Sequence, residues 1–94
     1  MTTKEILERL SQEFPDLLTA DGYDDAILGV AGGWFDHSQQ EVVAYDYLKC
    51  VELLMEDSDM SEEDAQEWMS YNVMGAYLGE GTPVFIHNWR RTKR

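Results

Sequence analysis

The side chains here that could do chemistry are few in kind: two histidines, His37 and His87, one thiol, Cys50, and 19 carboxylates. A nucleophilic site needs a Ser or Cys held within hydrogen-bond reach of a base. Asp36, His37 and Ser38 are only adjacent in sequence, inside a polar stretch that reads as a loop, so His37 is expected to be solvated. His87 falls at a strand end and reads the same way. Cys50 lies within a helix that has an apolar stripe. With no C-x-x-C or H-x-x-x-H spacing, neither a structural nor a catalytic zinc site is expected. "DSDMSEED" places Asp57, Asp59 and Ser61 at positions 1, 3 and 5 of a calcium loop. Glu62 then stands where the loop needs Gly, and Trp68 where it needs the bidentate Glu. "GVAGG" (residues 29 to 33) lacks the spacing of a phosphate loop and runs into a strand, so its glycines are expected to serve a bulge or a close backbone approach. Paired carboxylates abound, but acid–base catalysis needs one in a cleft with a shifted pKa, and these read as exposed. The expectation is a protein with no catalytic, cofactor-binding or metal-binding residues, and not an enzyme.

What the carboxylates do offer is charge. The net charge is −12, and four of the seven bases (Arg90, Arg91, Lys93 and Arg94) sit in the last five residues. Residues 1–89 hold 19 acids against Lys4, Arg9 and Lys49, a net of −16, with no Lys or Arg between Cys50 and Trp89. Such a body repels nucleic acid and acidic membrane surfaces and attracts basic partners, within a screening length of about 8–10 Å. The densest run is "MEDSDMSEEDAQEW", residues 55 to 68, with seven acids. Glu62, Glu63, Asp64 and Glu67 occupy roughly 8 Å of helix at about 1.5 Å per residue, a density comparable to that of the DNA backbone. Glu52, Glu56, Asp57 and Asp59 extend the run. These eight residues form the candidate partner-binding face, for a basic protein, the nucleic-acid-binding class included. The alternative is a solvated face. Acids in a first helical turn complement the helix dipole, and charge keeps a small protein soluble.

The elements that must carry this face are legible. An apolar fraction of 44% with eleven aromatics describes one globular domain over 1–89, followed by a basic tail at 90–94. The tail reads as a short flexible terminus; folding back on the body, pairing with a neighbouring subunit and contact with a phosphate are its alternatives. The lone Cys fits a reducing compartment. The charged, amphipathic start predicts no secretory leader, and no apolar run approaches the roughly 18 residues of a membrane span. "TTKEILERLSQEF" predicts a helix, with Thr2 and Glu5 at capping-box spacing, an apolar face of Ile6, Leu7, Leu10 and Phe14, and Pro15 as its stop. "AILGVAGGWF" and "EVVAY" predict two strands joined through the five-residue loop "DHSQQ". Asp46 is placed to cap a second helix, "DYLKCVELLMED", and Ser61 with Asp64 opens a third, which runs to Leu78 and ends at Gly79. "TPVFI" is a last short strand. The fold class is α+β, in the order α-β-β-α-α-β, with helices packed on one face of a small, about three-stranded antiparallel sheet.

In the third helix Ala65, Met69, Asn72 and Ala76 share a stripe. Asn72 is expected to be a structural, buried amide bonded to backbone. On the opposite side Tyr71, Met74 and Leu78 are apolar, so that half of the helix has two apolar faces. These three are the candidate contact of a homo-oligomer.

The run from "YDDAILGV" to "TPVF", about residues 23 to 85, resembles small uncharacterised proteins of tailed phages and prophages. The pattern is Tyr45-Asp46, then Met60 with Glu63 and Ala65, then Asn72-Val73 with Gly75, Ala76 and Gly79, and finally Thr82-Pro83 with Phe85. The tail and the "GGWFDHSQQ" hairpin lie outside it. No activity attaches to that group, and the shared motifs read as a cap, a helix end and a turn. The resemblance implies a non-enzymatic accessory protein in the cytoplasm of a bacterial host, binding and modulating a basic host protein, with nucleic-acid mimicry as one mode. Its rival is a homo-oligomeric structural or adaptor protein whose charge serves solubility only.

Overall fold

The structure, a computed structural model, describes residues 1–35, 37–75 and 79–91. Helix α1 spans Thr3–Glu13 and opens with the complete capping box: the Thr2 hydroxyl accepts from the Glu5 N–H at 3.2 Å, and the Glu5 carboxylate accepts from the Thr2 N–H at 2.9 Å. The bond from the Thr2 backbone N–H, with a contribution from the Thr2 side chain, holds the Glu5 carboxyl below its ordinary pKa. Leu10 is buried, with Ile6 and Leu7 packed beside it, as the spacing required.

A loop and a short 3₁₀ turn lead into β1 (Ile27–Phe35), which pairs antiparallel with β2 (Ser38–Asp46). The glycine-rich stretch does serve a bulge. The register slips between Ile27 and Gly29, leaving Leu28 as the extra residue, and Gly29 takes φ +154°. The hairpin is tighter than its polar sequence suggested. Phe35 pairs with Ser38, so Ser38, Gln39 and Gln40 belong to the strand. Polar residues are tolerated there because the strand end is partly solvated and Gln40 makes backbone bonds, donating to the Phe35 carbonyl and accepting from the Gly81 N–H at 2.7 Å.

Helix α2 (Tyr47–Asp57) follows β2 without a loop, capped by Asp46, whose carboxylate accepts from the Lys49 N–H at 3.3 Å. Helix α3 (Glu62–Trp68) is capped by Ser61 through the Asp64 N–H at 3.1 Å, and packs on α2. It continues as a π-helical segment, Met69–Met74, where an unbroken α-helix was expected. Residues 76–78 lie outside the described residues, so the expected run to Leu78 and the place of Ala76 fall there. Gly79 follows at φ +94°.

The α+β class and element order are as expected; the sheet differs in one strand. β3 (Val84–Ile86) runs parallel to β2, pairing Ala44, Tyr45 and Asp46 with Val84, Phe85 and Ile86, and the strand order is β1-β2-β3. The sheet is therefore mixed. The chain leaves β2 at its C-terminal end, spends two helices crossing back, and re-enters in the same direction, as a parallel connection requires.

The core gathers on the face of β2 that carries Val43 and Tyr45. Against them pack Tyr23, Ile27, Cys50, Val51, Leu54, Ala65 and Met69. The Tyr45 ring stacks on Phe85 with centroids 5.4 Å apart, and its hydroxyl accepts the Ala20 N–H at 2.7 Å. Tyr45→Phe removes that acceptor and leaves a half-buried N–H without its partner. It should cost about 1–3 kcal/mol, read as a lower urea midpoint with an unchanged far-UV spectrum; an unchanged midpoint would show that the bond carries no stability.

Candidate functional site

Helices α2 and α3 bring the eight candidate acids into one region, but not as equals. Glu56, Asp57, Asp59, Glu62, Glu63, Asp64 and Glu67 are exposed. Glu52 is half-buried and already engaged: its carboxylate accepts from the Arg91 guanidinium at 2.5 Å, and the second guanidinium nitrogen lies 3.6 Å from the buried Asp46 carboxylate. The hydrogen bond to Glu52 holds the Arg91 pKa above its ordinary value. The start of the tail thus folds back on the body. A turn at its base sets this up, with the Arg91 N–H donating to the Asn88 carbonyl at 3.2 Å and the Arg90 N–H to the Asn88 side chain at 3.2 Å. Residues 92–94 lie outside the described residues. The free acidic face is therefore the α2 C-terminus, the linking turn and α3. Asp59, at φ +53°, turns the chain between the two helices, a conformation that Asp tolerates better than most residues.

Beside these acids the π-helical segment presents apolar surface. Met60, Asp64, Glu67, Trp68, Tyr71 and Asn72 line an open cleft of about 370 Å³. Tyr71 is 83% exposed, and Trp68 and Met74 are partly so. Two carboxylates, two aromatic faces and a thioether in one cleft suit a cationic side chain. Arg and Lys are attracted both by carboxylates and by the negative face of an aromatic ring. Spacing could have revealed this: Asp64 and Trp68 are four residues apart, as are Glu67 and Tyr71, so each acid neighbours an aromatic on the helix surface.

Asn72 is exposed, contrary to the expected buried amide. The wider π-helical turn carries the inward stripe from Ala65 and Met69 to Val73, which packs on the core, and turns Asn72 outward. Asn72 also borders a second open cleft of about 300 Å³ with Tyr23, Val73, Thr82 and Phe85. Of the candidate oligomer contact, Tyr71 and Met74 are exposed, and Leu78 lies outside the described residues.

The other reactive groups stay apart. His37 is exposed on the hairpin turn at φ +70°. The His87 ring lies against Tyr47 at 4.3 Å. Cys50 is fully buried, and burial, aided by the Asp46 charge, pushes its thiol up to about 12. Among the described residues no cluster of three His, Cys, Asp or Glu is placed to hold a metal ion, and no helix is long and apolar enough to cross a membrane. No protein-family model, curated protein or solved structure matches the chain.

Two outcomes follow from the buried thiol. In the folded protein near pH 8, Cys50 should resist a disulfide-exchange reagent and react promptly once denatured. Because its pKa is raised in the folded state from about 8.5 unfolded, the folded protein holds the proton longer. Stability is then full below about pH 8.5 and falls as pH rises towards 12. Burial raises the Tyr23 and Tyr45 hydroxyls too, so they act in the same direction. Alkaline denaturation curves of wild type and Cys50→Ala check the sign: the variant should lose less stability over that range.

Proposed function

We propose that the protein is a non-enzymatic binding protein whose α2–α3 face docks a basic segment of another protein. The observation that carries the reading is the cleft in which Asp64 and Glu67 stand beside Trp68 and Tyr71, on a surface with no Lys or Arg of its own sequence from Val51 to Trp89. Charge draws in a cationic partner over the screening length; the aromatic faces and Met60 add contact that charge alone lacks. In the setting implied by the resemblance to small tailed-phage proteins, the partner is a basic host protein in the bacterial cytoplasm, and proteins that bind DNA or RNA are the class richest in such surfaces. Aromatic side chains among the acids favour recognition of Arg and Lys over a bare copy of phosphate spacing.

Capture from bacterial lysate by the tagged protein, at low and high salt with mass spectrometry, tests the reading. A basic protein should be retained at low salt and released at high salt. Glu63→Lys with Glu67→Lys should abolish its capture, and Trp68→Ala should weaken it at unchanged ionic strength. Glu63, Glu67 and Trp68 are exposed, but Glu63 lies in the first turn of α3 and Trp68 bonds the Tyr23 side chain, so the melting temperature of each variant is measured and capture is compared well below it. Capture that survives the double charge reversal would remove the acidic face from consideration.

A further inference from the structure

The C-terminal segment is laid against the acidic region by contacts of its own. After β3 the His87 ring packs on Tyr47 at the start of α2, with centroids 4.3 Å apart. Asn88 and Trp89 then border a cleft of about 230 Å³ with Tyr47, Leu48, Glu62 and Gln66, so the segment runs beside α2 and the N-terminal half of α3. The turn at Asn88 delivers Arg91 to α2, where its guanidinium spans two carboxylates, Glu52 at 2.5 Å and the buried Asp46 at 3.6 Å. Asp46 has a second partner in the Lys49 N–H and caps the helix, so it is fixed in place. Glu52 differs. It belongs to the candidate acidic face, is partly exposed, and lies one helical turn from the exposed Glu56. Arg91 is thus a cation already seated at the edge of a face whose other seven acids form no ion pair among the described residues.

We propose that Arg91 is an internal competitor of the basic partner: the chain's own tail occupies the Glu52 end of the acidic face, and a partner must displace it to use the whole face. This rests on the reading of that face as a docking surface for a basic segment. The tail has the chemistry of such a segment, with Arg90, Arg91, Lys93 and Arg94 against three bases in residues 1–89. The contact suits displacement. Both side chains of the Arg91–Glu52 pair are more than a third exposed, and ion pairs at that exposure are weak. It persists because it is intramolecular: a short tether keeps the guanidinium at a local concentration on the order of millimolar. A solitary cation at low concentration does not match that. A segment that brings several cations, and also gains the Trp68 and Tyr71 faces, does. The tether thus sets a threshold that separates sparse from dense basic segments. Apparent affinity is reduced by the fraction of time the contact is open, so a contact open about one-fifth of the time weakens binding about five-fold. Opening frees Glu52 without undoing α2, because the Lys49 N–H stays on Asp46.

The test is the affinity of the full chain for a fluorescein-labelled hexa-arginine peptide, read by fluorescence anisotropy at low salt. The circular dichroism melt of each variant fixes a temperature at which all are folded. Arg91→Gln should bind about five-fold more tightly than wild type. Arg90→Gln removes the same charge from the neighbouring residue, which is in no ion pair with a described carboxylate. It should tighten binding by less than about two-fold, the effect of screened net charge alone. Arg91→Gln combined with Glu52→Gln should return to the wild-type affinity, because the gain comes through the freed carboxylate; its net charge equals that of the wild type. In isotope-labelled wild type, saturating peptide should move the Arg91 guanidinium resonances towards those of Arg90, a readout independent of any variant's stability. Equal gains for Arg91→Gln and Arg90→Gln would reduce the effect to net charge and overturn the proposal, and so would Arg91 resonances unmoved at saturation. A peptide that binds no form of the chain removes the acidic face as a docking surface, and this proposal with it.

Discussion

The structure depends on covering the second half of β2. Val42 to Asp46 are five successive buried residues, flanked by β1 as far as Tyr45 and by β3 from Ala44 onward, so Ala44 and Tyr45 are enclosed on both edges. An enclosed strand must satisfy every polar group it carries. Tyr45 does so with its hydroxyl, which takes the Ala20 N–H and thereby pins the loop after α1 to the sheet. Asp46 does so by closing the first turn of α2 and by meeting Arg91. Two adjacent residues therefore fix the N-terminal loop, the start of the helix pair, the parallel strand β3 and the C-terminal turn. Burying Asp46 unpaired would be costly, and its neighbourhood supplies a backbone N–H and a guanidinium instead.

That dependence explains which parts of the fold could be read from the sequence. Local signals carried through: Thr2 with Glu5, Pro15, Asp46 and Ser61 each act within one helical turn of themselves, and they terminate helices where their chemistry requires. The bulge at Gly29 was legible for the same reason. Missed features were those decided across space. The direction of β3 is set by how two helices cross the sheet, which three residues of "VFI" do not encode. Ser38 to Gln40 read as loop because part of their polarity is answered by distant partners, Glu80 and Gly81. The π-helical turn substitutes Val73 for Asn72 on the inward stripe, a shift of one residue that periodicity alone cannot choose. Arg91 finds Glu52 across 39 positions.

The candidate acidic face was legible as composition and only partly as geometry. Seven of its eight members form no ion pair among the described residues, no base occurring nearby in the sequence to neutralise them, and Glu52 is withdrawn by a tail residue far along the chain. Acids in the first turn of α3 answer its exposed N–H groups and would be present in a protein with no partner at all. Asp64, itself in that turn, and Glu67 are set apart by the aromatic side chains beside them. Trp68 also bonds the buried Tyr23 side chain, but Tyr71 is 83% exposed beside Glu67, and solvation alone gives no reason to place it there.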